Sequence, residues 1–190
     1  MNYEKPILIL YIKKRPIIMA AKKKNLDKTR LEDLCDMSEK VFGIVVSEWN
    51  DAITSKLAKG AKEALIANGV KKDNIHSVHV PGSFELPMGA RLLAGREKLD
   101  AVICVGCVIK GETKHDEYIS NAVANGIMSL GLASGKPVIF GVLTPNDYDQ
   151  AIERSGGKHG NKGIEAAHTA LRMVSLSHNL KEADSKIGFN

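Results

Sequence analysis

Between residues 110 and 118 the chain reads KGETKHDEY, eight proton-exchanging or hydrogen-bonding side chains crowded directly after the apolar run AVICVGCVI (101–109). His115 is the best candidate proton carrier there, because an imidazole with a reference pKa of roughly 6.5 keeps both forms populated near neutrality. His159 and His168 have weaker claims. A second dense stretch, ERSGGKHGNKG (153–163), sets Arg154, Lys158 and Lys162 among four glycines at the start of a helical pattern. Exposed amides, a positive helix end and cations together suit an anion, with a phosphate ester as the natural guest; the alternative is a flexible surface loop. Two aromatics stand at comparable breaks. Trp49 in SEWND could stack on a planar heterocycle or cap the core. In VPGSFELP (80–87) Phe84 adjoins Glu85, whose carboxylate could bind a polyol or ring edge, or could merely answer the macrodipole of the helix it opens.

Other chemistries lack their motifs. The chain has no G-x-x-x-x-G-K-[ST], no G-x-G-x-x-G after the first strand and no G-x-S-x-G elbow, which removes the P-loop, the dinucleotide fingerprint and the hydrolase nucleophile. Cys104 and Cys107 spell C-x-x-C, but positions three apart on a strand point to opposite faces, which argues against a redox pair or a zinc clasp. Three cysteines, an odd number, argue against a disulfide scaffold and fit a reducing cytosol.

The elements that must position these groups follow from period. VFGIVV (41–46) is a short apolar run feeding a helix from Asp51, with Ile53, Leu57, Ala61, Ala64 and Leu65 on one face and Asn68-Gly69 closing it. IHSVHV (75–80) leads to a helix through Leu86, Ala90 and Leu93, where Pro87 fits only the first turn. AVICVGCVI is the third strand, followed by a helix with the stripe Ile119, Val123, Ile127 and Leu130; PVIFGVL (137–143) is the fourth strand. A short helix around 150–154, a glycine-rich loop and a helix over about 162–180 complete the pattern. Continuous apolar strands alternating with amphipathic helices predict a parallel sheet covered on both faces: an α/β, flavodoxin-like three-layer sandwich with a four-stranded parallel sheet. In such sheets ligands bind outside the carboxyl ends of the strands, where the polar clusters lie.

Length and charge set the bounds. A chain of 190 residues is one domain's worth, and no apolar run approaches the roughly 20 residues needed to cross a bilayer, so no membrane role is expected. Its net charge is +5, of which +4 falls in residues 1–40, so the body is nearly neutral and no nucleic-acid role is expected. Residues 1–38 read as a basic, flexible N-terminal extension and 39–190 as the folded domain. The stretch ILILYI is too short and interrupted for a signal-peptide core, and Met19 could be the real start.

Taken in order, VSEWN, VPGSFELP, GCVIKGETKH, VIFGVLT and QAIERSGGKHGNKG resemble the lumazine synthase family over about Val41 to Leu176. The resemblance implies condensation of 5-amino-6-(D-ribitylamino)uracil with 3,4-dihydroxy-2-butanone 4-phosphate to 6,7-dimethyl-8-ribityllumazine, the penultimate step of riboflavin biosynthesis, in the cytoplasm and with no metal or organic cofactor. By position it implies that Trp49 stacks on the ring, and that Ser83, Phe84 and Glu85, with Cys107, Val108 and Ile109, hold the pyrimidine and its ribityl chain. Phe140 would be a second aromatic wall reaching the site from a neighbouring subunit. Glu112 and Thr113 would cradle the butanone phosphate, Arg154 would anchor its phosphate with Lys162 nearby, and His115 would transfer protons. Trp49 stands where many members have Phe, Lys110 replaces a common Arg, and HDEY (115–118) departs from the usual His-aromatic-Asp-Tyr. The resemblance further implies a pentamer; the Arg154 to Lys162 segment lacks the insertion of pentamer-only relatives, which favours an icosahedral shell. It leaves riboflavin synthase open as a partner. A non-enzymatic flavin or lumazine carrier could use the same aromatics.

Overall fold

The computed structural model describes residues 31 and 34–187. The expectations of a flexible extension and of a start at Met19 concern residues that lie, for the most part, outside these. The chain enters the domain over Leu34 to Met37, where Met37 is buried in the core and the Cys35 amide donates to Ser175 Oγ at 3.0 Å.

Four strands form a sheet in the order β2-β1-β3-β4, all parallel: β1 (Phe42–Ser47), β2 (Ile75–Val80), β3 (Ala101–Cys107) and β4 (Val138–Leu143). Every residue of β1 and β3, the two inner strands, is buried, which is why they read as unbroken apolar runs. The strands β2 and β4 form the edges. Among the described residues there are five α-helices, α1 (Asp51–Ala67), α2 (Leu86–Arg96), α3 (His115–Ser134), α4 (Tyr148–Arg154) and α5 (Lys162–Ile187), of which α1 and α5 cover one face of the sheet and α2 and α3 the other. Helix α1 ends at Asn68 and Gly69, whose φ of 92° is open to glycine at no steric cost, and Pro87 sits in the first turn of α2 where no amide is missed.

Successive residues of the inner strands feed two cores. Ile44, Val46, Ile103 and Val105 pack under α1 and α5 with Leu57 and Leu171, whereas Val45, Val102 and Cys104 pack under α2 and α3 with Leu86 and Val123. Cys107 belongs to the first core and Cys104 to the second, so the C-x-x-C pair does straddle the sheet. Burial pushes the thiol of Cys104 up to about 12 and that of Cys107 up to about 11, from an ordinary 9.0, so both stay protonated at neutral pH.

Three details depart from expectation. Strand β3 stops at Cys107, not at residue 109, opposite Leu143 where β4 also ends, although the Val108 amide still donates to the Leu143 carbonyl (2.8 Å) alongside it. The glycine-rich loop contains a small antiparallel hairpin, β5 (Ser155–Gly157) and β6 (Gly160–Asn161), with Gly156 at φ 130° and Gly160 at φ 76°. Helix α5 extends to Ile187, past the predicted 180. Among the described residues no helix is long and apolar enough to cross a membrane.

Candidate active site

The carboxyl ends of β1, β2 and β3 are stitched into one rim. After β1 the chain runs beside the loop that follows β2, with the Glu48 amide donating to the Val80 carbonyl (2.8 Å) and the Trp49 amide to the Pro81 carbonyl (3.2 Å). Asn50 then turns the chain into α1. Its φ of 63° is left-handed, a region where Asn is several-fold enriched, and its carbonyl accepts from the amides of Ile53 and Thr54. Its side-chain amide donates to the Cys107 carbonyl at 3.0 Å, tying the first loop to the end of β3. The second loop lies against β3 because residue 106 is glycine: a Cβ there would fall 2.6 Å from Ser83 Oγ.

On this fixed floor two aromatics stand open, Trp49 at 72% and Phe84 at 58% exposure. Glu85 is exposed and folds its carboxylate back over Gly82, while Ser83 is buried beneath. The third loop is held by the Lys110 amide on the Pro145 carbonyl (3.0 Å) and the Gly111 amide on Asp116 Oδ1 (3.4 Å). Glu112, Thr113 and His115 are exposed along it, and His115 opens α3, whose first turn carries Asp116 and Glu117 to suit the positive end of the helix. The thiol of Cys107 is in the core, so only its backbone reaches the rim, and that carbonyl already accepts from Asn50.

A separate cavity of about 920 Å³ lies along the free edge of β4, lined by Phe140, Asn146, Arg154, Lys162 and Glu165 among others. Its size is that of a small-molecule site. Arg154 closes α4, with Nη1 donating to the Gln150 carbonyl at 3.2 Å, and Lys162 opens α5, with Nζ on both oxygens of Glu165 at 2.7 and 2.8 Å. Several amides expected to greet an anion are already engaged, the Lys158 amide by Glu153 Oε2 (2.8 Å) and the Gly163 amide by Asn161 Oδ1 (2.8 Å). An anion here would therefore be met by the two side-chain cations, in competition with Glu165 for Lys162. Pro145, whose carbonyl holds the third loop, also lines this cavity, whereas the candidate residues of the rim do not.

A sequence profile of the family described as 6,7-dimethyl-8-ribityllumazine synthase matches residues 39–178, most of the chain. The chain belongs to the lumazine synthase family. A 6,7-dimethyl-8-ribityllumazine synthase of Cytophaga hutchinsonii is 53% identical over 157 residues, covering 83% of this chain and 98% of that protein. Those of Parabacteroides distasonis and Flavobacterium johnsoniae are each 48% identical and cover 84% of this chain, spanning 99% and 87% of their own lengths. The chain is thus an enzyme, of the transferase class to which lumazine synthases belong.

Against the lumazine synthase resemblance, the candidate residues fall into two sets. Trp49, Ser83, Phe84, Glu85, Cys107, Val108, Ile109, Glu112, Thr113 and His115 share the rim; Phe140, Arg154 and Lys162 share the β4 cavity. Two contributors were missed from sequence. Asn50 could have been suspected from its place between a strand and a helix, where a short polar side chain tolerates a left-handed backbone. Glu165 stands three residues after Lys162 on one helix, the spacing at which side chains meet. Among the described residues no group of three or more His, Cys, Asp or Glu gathers to hold a metal ion.

Proposed function

We propose that the protein condenses 5-amino-6-(D-ribitylamino)uracil with 3,4-dihydroxy-2-butanone 4-phosphate in the cytoplasm, giving 6,7-dimethyl-8-ribityllumazine, phosphate and water in the penultimate step of riboflavin biosynthesis. The reading is carried by the β4 cavity, where an exposed aromatic, an arginine and a lysine share one wall. The rim supplies what that cavity lacks: an open indole, a second ring, a carboxylate and an imidazole.

In this reading Trp49 stacks on the pyrimidine, and the backbone around residues 83–85 and 107–109 holds its edge and its ribityl chain. Arg154, with Lys162, takes the phosphate, and the backbone at Glu112 and Thr113 cradles the butanone. The aryl amine attacks the ketone carbon, and water is lost as an imine forms. The carbon–oxygen bond to phosphate then breaks, the phosphate dianion leaving towards the cations. Loss of the proton on the hydroxyl-bearing carbon makes that elimination yield an enol, which tautomerises to a methyl ketone, and the second amine closes the ring on this new carbonyl with loss of a second water. Each stage transfers protons, which suits His115 beside the loop. Bringing two reactants together can supply roughly 7–11 kcal/mol in favourable intramolecular cases, and a positioned base on the order of 10² to 10⁴ in rate.

The site is completed between subunits of a pentamer. Supporting this, the candidate residues of the rim do not line the cavity, and a neighbouring hollow at the edge of β4 is lined by exposed apolar side chains: Met128, Leu132, Met173, Leu176 and Leu180. An apolar surface of this kind beside an unpaired strand calls for cover. Pentamers assembled further into a hollow icosahedral shell fit the uninterrupted 154–162 segment.

The test is direct. Purified protein mixed with both compounds should develop lumazine absorbance and release phosphate in equal amounts. Tight binding of either compound with no product would instead make the protein a carrier.

A further inference from the structure

The β5–β6 hairpin lies between the two cations of the cavity, Arg154 just before it and Lys162 just after, yet its strands are three and two residues long and carry two glycines at positive φ. Short two-stranded ribbons are marginal by themselves, so something else must fix this one. Asn161 is the residue placed to do so. It immediately precedes Lys162 in the chain and is the cross-strand partner of Ser155, which immediately follows Arg154. Its side-chain nitrogen donates to the Ser155 carbonyl (3.3 Å) within the hairpin and to the Lys56 carbonyl (3.0 Å) on α1, while Oδ1 accepts from the Gly163 amide (2.8 Å) at the start of α5. One planar amide thus joins three segments, using both of its N–H groups and its oxygen.

The helix beneath is cut to receive it. A Cβ at Gly60 would fall 2.6 Å from the Asn161 side-chain nitrogen, and a Cβ at Gly163 would fall 1.9 Å from the Leu57 carbonyl oxygen. Two glycines, one on each helix, let the hairpin and the first turn of α5 sit directly on α1.

We propose that Asn161 is a positioning residue for phosphate binding: by fastening the hairpin to α1 it holds Arg154 and Lys162 at one wall of the cavity. The inference rests on the proposed function, since it assigns the residue a part in holding that reaction's phosphate ester.

Steady-state kinetics with both substrates test it, together with competition by inorganic phosphate. Asn161→Ala is expected to raise KM for the phosphate ester roughly tenfold or more, with KM for the amine and kcat changing far less. Inhibition by phosphate should weaken in the same proportion. Asn161→Asp, which keeps the acceptor for Gly163 but turns a carboxylate on two carbonyls, should not rescue the defect. Gly60→Ala, a change on α1 outside the cavity, should reproduce the same split by pushing Asn161 away, and it decides the matter alone if Asn161→Ala does not fold. Wild-type protein with no turnover and no phosphate binding would remove the reading beneath the inference. Active wild type whose variants raise both KM values alike, or lose only thermal stability, would overturn the role of Asn161.

Discussion

The rim over β1, β2 and β3 and the cavity along β4 are built by opposite means. The rim is a backbone construction: three loops tied to one another by main-chain bonds and by Asn50, above strands that are wholly buried. Its exposed groups are rings, hydroxyls, carboxylates and an imidazole. The cavity is a side-chain construction at an open sheet edge, with its cations supplied by the last residue of α4 and the first of α5. What the rim lacks for a phosphate ester, the cavity has, and what the cavity lacks for a heterocycle, the rim has. In the function proposed, these two incomplete halves make a working site when a second protomer brings its edge to the first one's rim.

The largest effect should come from separating the halves. Phe140→Asp puts a charge into the exposed apolar surface beside β4; sedimentation should report smaller species, and lumazine formation should be lost with them. If activity instead survives in a monomer, the halves cooperate within one chain. A sharper form mixes defects: Arg154→Ala and His115→Ala, each crippled alone, should regain activity when co-expressed, because some junctions then pair an intact rim with an intact edge. Absence of recovery in verified mixed oligomers would contradict a shared site.

Next in size, Arg154→Ala should lower kcat/KM for the phosphate ester on the order of 10²- to 10³-fold, the scale for removing a donor aimed at developing negative charge. His115→Ala should slow kcat by about 10²-fold, at the low end for a positioned proton carrier, without abolishing turnover and with less effect on binding of the phosphate ester. Equal, negligible effects of the two would dissolve the distinction between the regions.

The smallest effect probes the sheet beneath the rim. An unfolded chain gives up its thiol protons near pH 9, whereas burial holds those of Cys104 and Cys107 up to about 12 and about 11. Their contribution to stability is therefore whole below pH 9 and drains away as pH rises towards those values, at no more than about 1.4 kcal/mol per pH unit for each thiol. Urea midpoints taken from pH 9 to 11 should fall less steeply for Cys104→Ala than for wild type.

The four strands and the faces of their helices were legible because burial writes itself directly into apolar spacing: Ile53, Leu57 and Leu65 of α1, and Val123 and Ile127 of α3, are all inside. Where two forces compete, the text is ambiguous. Val108 and Ile109 are apolar enough to extend β3, yet the strand ends at Cys107, opposite Leu143, where its partner β4 ends too. The β5–β6 hairpin has no apolar alternation to betray it, being mostly glycine. Trp49, Phe84 and His115 were legible as polar or aromatic groups at strand ends. The engagement of Lys162 by Glu165 and the binding of Asn161 to α1 were not, since the first depends on a rotamer and the second on a residue 105 positions away.

The alternation that sends Cys104 and Cys107 to opposite sides of the sheet also decides how the molecule would meet a thiol reagent. Both sulfurs are sealed in, on separate layers, leaving half-buried Cys35 as the one handle where the chain joins the domain. A maleimide dye would load there once per protomer, beside Ser175 of α5, and could count the subunits of an assembly.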